Sequence, residues 1–447
     1  MNNPGAIPLV ARAPDDILFR RRGAALTVRH FLRDVRVLSE SLPDGAYLIN
    51  LCQDRYHFTV ALAAATLRGQ ISLLSADRSP GPLARLSERF GGAASVCEEP
   101  SCAGTSRHAC FALPPEAPAG AVPPIFVPAD QQVAIVFTSG STGEPVGNAK
   151  HWGVLAARSF DFGERFGMVP DSPGSIVGTV PPQHMYGFET TVLLPLLATA
   201  STWCGPAFYP ADIAEALRAV PAPRTLVTTP LQLRALVESG IALPPLSAII
   251  SATAPMDASL AAAAEARFGV HVLEIFGATE TGSVASRRTV SGDVWTTYDT
   301  VRLEQPADGA GTLVVAPPAG PILLTDRLDL LDATHFRLLG RADDLVKLGG
   351  RRASLAGLNR ILGRIPGVKD GVFVVPDDLD RRPAARLLAF VVAPDRSAED
   401  ILADLRRQIE PVFLPRRVVK LDSLPRNELG KLTRAATARL MAGTEGD

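Results

Sequence analysis

Residues 133–143 read VAIVFTSGSTG, an apolar run followed by two glycines and four hydroxyl side chains. The apolar part, residues 133–137, predicts a buried strand. Glycines let the backbone turn sharply and approach a ligand closely, and exposed N–H groups and hydroxyls donate to anionic oxygens. The stretch therefore predicts a phosphate-binding loop, with an ordinary Ser/Gly surface turn as the alternative. It is not a Walker-type P-loop, because no Gly-Lys-Ser/Thr follows at the required spacing.

The length and composition of the chain limit the class of protein to which it can belong. A length of 447 residues predicts two or more domains, and 47% hydrophobic with 20% charged residues is ordinary for a globular enzyme. The net charge of −1 gives no sign of a nucleic-acid partner. The N-terminus lacks the features of a signal peptide, and no apolar stretch is long enough to span a membrane. Five cysteines favour a reducing compartment, so we expect a cytoplasmic enzyme.

Strand and helix patterns alternate along most of the chain. Residues 46–51 and 70–74 read as strands and residues 56–68 as the helix between them. This alternation favours a parallel sheet with crossover helices. Further on, residues 225–229 and 248–251 are short apolar runs that end in small or hydroxyl residues. Ligands of open α/β sheets bind beyond the carboxyl ends of strands, where such residues would lie.

The pattern changes in the last third of the chain. Residues 294–340 are rich in Val, Thr, Leu and Asp and favour a β-rich subdomain. The predicted fold class is α/β. Residues 1–340 would form a large domain of parallel-rich sheets flanked by helices, and residues 341–447 a small mobile α+β domain. The elements predicted in this small domain are a helix at 355–362, strands at 371–375 and 387–392, and a helix at 398–409.

Three later motifs follow the phosphate loop in a fixed order. Residues 276–282 read FGATETG, Thr325-Asp326 precedes GRADDLVK at 340–347, and residues 425–431 read PRNELGK. Together the motifs resemble those of the adenylate-forming superfamily, which contains acyl-CoA synthetases, aryl-CoA ligases, nonribosomal peptide adenylation domains and luciferases. The resemblance extends from about Val133 to Arg434, most of the chain.

The resemblance implies that the loop binds the phosphates of ATP. Family members usually continue the loop with Pro-Lys-Gly, whereas this chain has Pro145-Val146-Gly147 and so lacks the usual lysine. Lys150 either supplies a cation to the same phosphates or is a solvated surface lysine. The phosphate-binding residues implied by the resemblance are Thr138, Ser139, Gly140, Ser141, Thr142 and Gly143.

The second motif provides the remaining contacts to the nucleotide. Glu280 would hold Mg²⁺, since a hard cation prefers carboxylate oxygen, and Thr279 would donate to the α-phosphate. Phe276 would stack against adenine, with a core aromatic as the alternative. The other residues implied to line the nucleotide are Ala252, Thr253, Ala254, Gly277 and Ala278.

The third motif provides a carboxylate for the ribose hydroxyls. Asp326 suits this role because a carboxylate accepts from both hydroxyls. Family members usually have Thr-Gly-Asp here, whereas this chain has Leu324-Thr325-Asp326. The spacing to Gly340-Arg341 still matches the family, which favours Asp326 over Asp329. Arg341 would reach the ribose or a phosphate.

The last motif contains the best single candidate for a catalytic residue, Lys431. In the resembled family the tail folds over the site, and this lysine neutralises charge that develops between the α-phosphate and the carboxylate. The tail then rotates about a hinge, here Asp344, to open a channel for a thiol. Without the family, Lys431 is an exposed lysine after a glycine.

A cluster of aromatic residues predicts the acid pocket. Residues 182–188 read PQHMYGF, and in the family an aromatic residue or histidine here gates the pocket. The alternative is a strand end with core aromatics. The residues assigned to the pocket are His184, Tyr186, Gly187 and Phe188, and two aromatics with a histidine suit a planar aryl acid.

These assignments predict an acid–thiol ligase. With ATP and Mg²⁺ it would convert an acid, such as a hydroxybenzoate, to its acyl-adenylate and release pyrophosphate. It would then transfer the acyl group to the thiol of CoA or of a phosphopantetheinyl carrier protein. The altered phosphate loop and the 184–189 segment resemble ligases of bacterial aryl-polyene (xanthomonadin-type) pigment pathways. The alternative is a catalytically degenerate relative that binds nucleotide or acyl-adenylate without turnover.

Overall fold

The computed structural model describes most of the chain, including both predicted domains. The described residues are 5–75, 77–99, 105, 107–111, 122–139, 145–169, 173–306, 311–341, 345–348, 351–376, 386–427, 430, 432 and 434–443.

The described residues of the first part of the chain contain a six-stranded sheet with flanking helices. Its elements are β1 (Ala6–Pro8), β2 (Ile17–Arg21), β3 (Ala24–Thr27), α1 (Val28–Ser41), β4 (Tyr47–Asn50), α2 (Arg55–Leu67), β5 (Ile71–Leu74), α3 (Pro80–Arg89), β6 (Ala94–Cys97), β7 (His108–Cys110), β8 (Phe126–Pro128), β9 (Gln132–Ser139) and β10 (Pro145–His151). Within the described residues the strand order is β10-β9-β5-β4-β6-β7, which we call the N-terminal sheet. Its strands are parallel except for β10, which runs antiparallel to β9. The predicted parallel sheet with a crossover helix is thus confirmed.

The middle of the chain repeats the strand–helix alternation. Its elements are α4 (Trp152–Arg165), β11 (Gly174–Gly178), α5 (Met185–Gly187), a π-helical turn (Phe188–Leu193), α6 (Leu194–Leu197), β12 (Ala200–Trp203), α7 (Pro210–Ala219), β13 (Arg224–Thr228), α8 (Pro230–Glu238), β14 (Ala248–Ser251), α9 (Ala258–Phe268), β15 (Val272–Ala278), β16 (Gly282–Arg288) and a 3₁₀ turn (Thr289–Ser291). Strands β12, β11, β13, β14 and β15 are parallel neighbours in that order. Both strands predicted here, at 225–229 and 248–251, are present within one residue of their predicted bounds.

The last third begins with antiparallel strands and ends in an α+β unit. Its elements are β17 (Val294–Thr297), β18 (Arg302–Glu304), β19 (Thr312–Val315), β20 (Ile322–Leu324), β21 (Asp326–Leu330), β22 (His335–Arg341), β23 (Leu345–Leu348), β24 (Arg351–Ser354), α10 (Leu355–Gly363), β25 (Asp370–Val374), β26 (Leu388–Val392), α11 (Ala398–Arg406), a 3₁₀ turn (Pro411–Phe413), β27 (Arg417–Lys420) and α12 (Arg434–Ala442). The predicted β-rich segment and all four elements predicted in the tail are present. The predicted helix at 398–409 ends three residues early, at Arg406.

A second, larger sheet extends through the middle of the molecule. In the described part of the chain its order is β21-β22-β17-β16-β15-β14-β13-β11-β12-β2-β3, and we call it the central sheet. The hairpin of β2 and β3, near the N-terminus, also belongs to this sheet, because β2 pairs in parallel with β12, about 180 residues later in the chain.

The two sheets share a hydrophobic core. Helix α2 is apolar on nearly all sides, and such a helix is stable only when it is buried. It contacts the N-terminal sheet and the π-helical turn, and Phe58 packs edge-on against Phe188 with ring centroids 6.5 Å apart. Residues after 345 form a separate core that includes Leu362 and Phe373. The domain boundary at 340/341 remains a proposal.

Candidate active site

Several parallel strands of the central sheet end at one edge, and their ends have polar residues. Thr179 follows β11, and its Oγ1 lies 3.2 Å from Oγ1 of Thr228, the last residue of β13. Ser251 ends β14, and Thr279 directly follows β15. Since carboxyl ends of parallel strands meet at the same edge, these residues share the position where α/β sheets bind ligands.

The predicted phosphate loop connects the two strands of a β-hairpin. Strands β9 and β10 are antiparallel, with Ser139 opposite Pro145 and Thr138 opposite Val146. The connecting residues 140–144, which include Gly140, Ser141, Thr142 and Gly143, lie outside the described residues, and so do the side chains of Thr138 and Ser139. The buried strand predicted at 133–137 is confirmed, whereas phosphate binding stays a prediction.

Lys150 is buried between the two sheets. Only 5% of the residue is exposed, and Nζ donates to the carbonyl oxygens of Thr279 and Glu280, the latter at 3.4 Å. The alternative of a solvated surface lysine is therefore wrong. Burial lowers the pKa of the Lys150 ammonium, and the carboxylates of Glu189 and Glu280 act in the opposite direction.

The turn that contains Thr279 and Glu280 is tightly specified. It spans residues 279–281 between β15 and β16, with Ala278 opposite Gly282. The Thr281 hydroxyl accepts from the N–H of Ala278 at 3.1 Å and donates to the carbonyl of Gly282 at 2.8 Å. Strand β15 approaches β16 so closely at Gly277 that a Cβ there would overlap the Gly282 carbonyl. Only glycine fits, which explains the glycine of the second motif.

A buried glutamate, which the sequence analysis missed, holds the other side of this turn. Glu189 lies in the π-helical turn, and its carboxylate accepts from the Ser283 N–H at 2.9 Å and from the Ser283 hydroxyl at 2.5 Å. Burial raises the pKa of Glu189, whereas these hydrogen bonds and the cations Lys150 and Arg158 lower it. The available signal was a charged residue within the apolar stretch 185–197, since buried charges need partners.

Phe276 lies in an aromatic cluster of the core. Its ring centroid is 5.8 Å from that of Trp295 and 5.3 Å from that of Phe336, and 7% of the residue is exposed. The alternative of a core aromatic accounts for these contacts. Stacking on adenine stays a prediction.

The segment Ala252–Ala254 follows β14 and contains an unusual backbone conformation. Thr253 has a φ of +79°, in the left-handed region, which β-branched residues rarely adopt. Strain of this kind persists where the surrounding structure enforces it, and it is concentrated at ligand sites. The strain agrees with a binding role for this segment.

The two residues predicted for the ribose are direct neighbours. Asp326 begins β21 and lies opposite Arg341, the last residue of β22. The competing carboxylate, Asp329, faces Arg337 instead, with Oδ2 3.4 Å from Nη1. The side chain of Arg341 lies outside the described residues. The register thus brings Asp326 and Arg341 together and gives Asp329 a different partner.

The predicted acid pocket lies in a helical segment, so the alternative of a strand end is wrong. Tyr186 is buried and donates to the carbonyl of Ile250 at 2.8 Å, and burial raises the pKa of its hydroxyl well above the usual value. Phe188 is fully buried in the core, and a Cβ at Gly187 would overlap the Pro181 carbonyl. His184 is partly exposed and accepts from the Tyr186 N–H through Nδ1 at 3.4 Å.

The C-terminal motif contacts helix α8 of the central part of the chain. Arg426 donates to both oxygens of Asp370, at 2.7 and 2.8 Å, and to the carbonyl of Gly430 at 3.0 Å. A Cβ at Gly430 would lie 3.2 Å from Cβ of Leu231, at the start of α8. Helix α8 follows the carboxyl end of β13, so Gly430 lies at the same sheet edge as the nucleotide candidates. Lys431, the next residue, and the hinge candidate Asp344 lie outside the described residues.

The residues present fit a magnesium ion that is bound together with phosphates. Among the described residues, His, Cys, Asp and Glu side chains do not gather in groups of three or more that could hold a metal alone. Mg²⁺ in nucleotide sites is usually held by one or two carboxylates, with phosphates and water as the other ligands. The partly exposed carboxylate of Glu280 matches this pattern.

Comparisons with known proteins identify the family of the chain. Residues 45–338 match the family model of the AMP-binding enzymes, and residues 358–431 match the model of their C-terminal domain. The chain is 31% identical to 4-coumarate–CoA ligase of Rhodobacter capsulatus, over 62% of this chain and 67% of that protein. It is 28% identical to a probable 2-succinylbenzoate–CoA ligase of Mycobacterium tuberculosis, over 70% of this chain and 86% of that protein.

The fold is also that of solved ligases. The structure of the anthranilate–CoA ligase AuaEII in complex with anthranoyl-AMP superposes with a TM-score of 0.80 at 15% identity, and covers 100% of this chain and 99% of that one. The chain therefore belongs to the AMP-binding enzyme family, the adenylate-forming ligases. It is an AMP-forming acid–thiol ligase, as predicted. In the described part of the chain, no helix is both long enough and apolar enough to cross a bilayer.

Proposed function

We propose that the protein activates a small aryl carboxylic acid as its acyl-adenylate and transfers the acyl group to a phosphopantetheine thiol. The observation that carries this proposal is the position of Gly430 against Leu231. This contact puts the residue before Lys431 at the sheet edge that also bears Thr279 and Glu280. A lysine delivered there would meet the negative charge that develops during adenylation.

In the first half-reaction a carboxylate oxygen of the acid attacks the α-phosphorus of ATP. The bond to the oxygen that bridges the α- and β-phosphorus breaks, and pyrophosphate leaves. Thr279 donates to the α-phosphate, and Lys431 neutralises charge between this phosphate and the carboxylate. Asp326 orients the ribose. Mg²⁺, held by Glu280, screens the charge of the phosphates when it is bound.

In the second half-reaction a thiolate attacks the acyl carbonyl carbon, and AMP leaves with the electron pair of the broken C–O bond. The thiol proton passes to solvent. Rotation about Asp344 first removes Lys431 from the site and opens the path for the thiol. The thiol belongs to CoA or to a carrier protein, and both carry the same phosphopantetheine arm.

An aryl acid suits this site best. The names of the two curated relatives specify 4-coumarate and 2-succinylbenzoate, which are both aryl acids. His184, the partly exposed residue of the predicted pocket, provides a planar ring next to the buried Tyr186. A hydroxybenzoate of a pigment pathway is one acid of this class. We propose the cytoplasm as the location of the protein, and in the described part of the chain the cysteines are not joined in disulfides.

The test is a pyrophosphate-release assay with a panel of aryl acids. We expect at least one acid to support release, and Lys431→Ala to lower the rate by about 100-fold or more. Lys420→Ala is the matched control, because Lys420 is an exposed lysine of the same small domain, on β27. It should leave the rate unchanged.

Two results would contradict the proposal. Nucleotide binding without pyrophosphate from any acid would favour a degenerate binding relative. If Lys431→Ala and Lys420→Ala lower the rate of pyrophosphate release equally, a catalytic role of Lys431 is excluded. Thioester formation, measured separately with CoA and with a phosphopantetheinyl carrier protein, identifies the acceptor.

A further inference from the structure

Lys150 connects two loops that belong to different sheets. It lies on β10, at the edge of the N-terminal sheet, and this strand leads directly from the phosphate hairpin. Its Nζ contacts the turn after β15, in the central sheet, through the carbonyls of Thr279 and Glu280. One side chain therefore connects the strand that follows the predicted phosphate loop to the predicted metal-binding turn.

The position of Lys150 along its strand explains why it reaches this turn. Val146 and Lys150 are four residues apart, so their side chains point to the same face of β10. The separation is about 13 Å along a strand. Val146, beside the hairpin loop, is 53% exposed, whereas Lys150 is 5% exposed. The amine thus lies deep between the sheets, away from the tip of the phosphate loop.

The contacts of the 279–281 turn indicate the role of the Lys150 amine. The Thr281 hydroxyl already fixes the turn from within, and Glu189 fixes its far side through Ser283. Lys150 adds a charged donor to two successive main-chain carbonyls, and hydrogen bonds to charged groups are the stronger ones. Two of its three N–H groups are directed at carbonyls of the turn rather than at a ligand.

We propose that Lys150 is a positioning residue that aligns the Thr279–Glu280 turn with the phosphate hairpin. This inference rests on the proposed function, since it assumes that Thr279 donates to the α-phosphate and that Glu280 holds Mg²⁺. Positioning of the turn differs from direct binding of the β- and γ-phosphates by Lys150. A positioning residue acts on every ligand that the turn binds, including AMP, which lacks those two phosphates.

The test measures nucleotide affinity by calorimetry with the full chain, using AMP without metal and ATP with Mg²⁺. Lys150→Met should weaken both affinities by about tenfold, because the turn loses a charge-assisted anchor. Lys150→Arg should restore both to within about threefold of the wild type. Lys420→Met is the matched control, since Lys420 Nζ also donates to a main-chain carbonyl, that of Pro394 at 3.4 Å. It should change neither affinity.

A double-mutant cycle separates positioning from direct contact. If Lys150 acts through the turn, Lys150→Met should weaken AMP binding by less than about threefold in a Thr279→Val background. Full additivity in this cycle would overturn the proposal. An unchanged AMP affinity would also overturn it, and a loss confined to ATP with Mg²⁺ would assign Lys150 to the terminal phosphates.

The wild-type protein distinguishes failure of this proposal from failure of the proposed function. If the wild type binds neither nucleotide, both are refuted. If the wild type binds normally and Lys150→Met binds equally well, only the positioning role of Lys150 is refuted.

Discussion

At the scale of single residues, the site places a charge where folding alone would not favour it. Lys150 lies between two sheets with 5% of its surface exposed, and transferring an ammonium from water to such a place is unfavourable. Glu189 and Glu280 offset part of this penalty. A residue that lowers stability in this way is explained by function, as natural proteins keep such residues at their sites.

This penalty predicts how stability depends on pH. The pKa of Lys150 is lower in the folded chain than in the unfolded one, so between the two values the unfolded state binds more protons and stability rises with pH. Lys150→Met removes the penalty. It also removes a cation beside the buried Glu189 and a donor from two main-chain carbonyls, and these losses oppose the gain. The prediction therefore concerns the pH dependence: relative to the wild type, the free energy of unfolding of Lys150→Met should fall as the pH rises.

The measurement is urea unfolding of both proteins at pH 7 and at pH 10. Glu189, Glu280 and the neighbouring Arg158 are present in both, so the difference between the proteins isolates the titration of Lys150. The free energy of unfolding of Lys150→Met, relative to that of the wild type, should be lower at pH 10 than at pH 7. A relative value that rises with pH would mean that folding raises the pKa of Lys150 and that the carboxylates outweigh burial.

At the scale of elements, a bidentate ion pair connects the segment before Lys431 to strand β25. Arg426 binds both oxygens of Asp370 at the start of β25 and uses its third contact for the Gly430 carbonyl. The guanidinium thus connects the strand to the residue before Lys431. Lysine has the charge but not the planar fork, so it cannot make all three contacts.

Arg426→Lys should therefore lower the rate of adenylate formation by about tenfold and leave the affinity for AMP unchanged. The rate is measured by pyrophosphate release and the affinity by calorimetry. Arg396→Lys is the matched control, because Arg396 forms a 2.7 Å ion pair with Asp404 elsewhere in the same domain. Equal losses in the two variants would show that Arg426 serves only the stability of the domain.

The elements also show how much of the fold can be predicted from the sequence. Local apolar runs predict the strands, because a strand such as β14 is buried whatever its neighbours are. The pairing of β2 with β12 is not predictable in this way, because it depends on residues about 180 positions apart. The same limit applies to the site. Its motifs identify Glu280 and Asp326, but the packing of one sheet on the other brings Lys150 and Glu189 to the turn.

At the scale of the whole molecule, the contact between Gly430 and Leu231 is the one that bears on the proposed adenylation step. Gly430 has a φ of +74° and lies against Leu231 of the large domain. A side chain at this position would both strain the backbone and press on Leu231. In the proposed mechanism the second half-reaction requires the opposite, because Lys431 leaves before a thiol enters. The proposal therefore implies that the two half-reactions need different positions of residues 341–447.

Two substitutions should therefore impair different half-reactions. Gly430→Val opposes the closed arrangement and should lower adenylate formation by about tenfold or more. Asp344→Pro restricts φ at the proposed hinge, between β22 and β23, and should lower thiol transfer more than adenylate formation. Pyrophosphate release measures the first half-reaction, and single-turnover transfer from preformed adenylate to CoA measures the second. If both variants lose both half-reactions equally, the small domain does not alternate between two arrangements about Asp344.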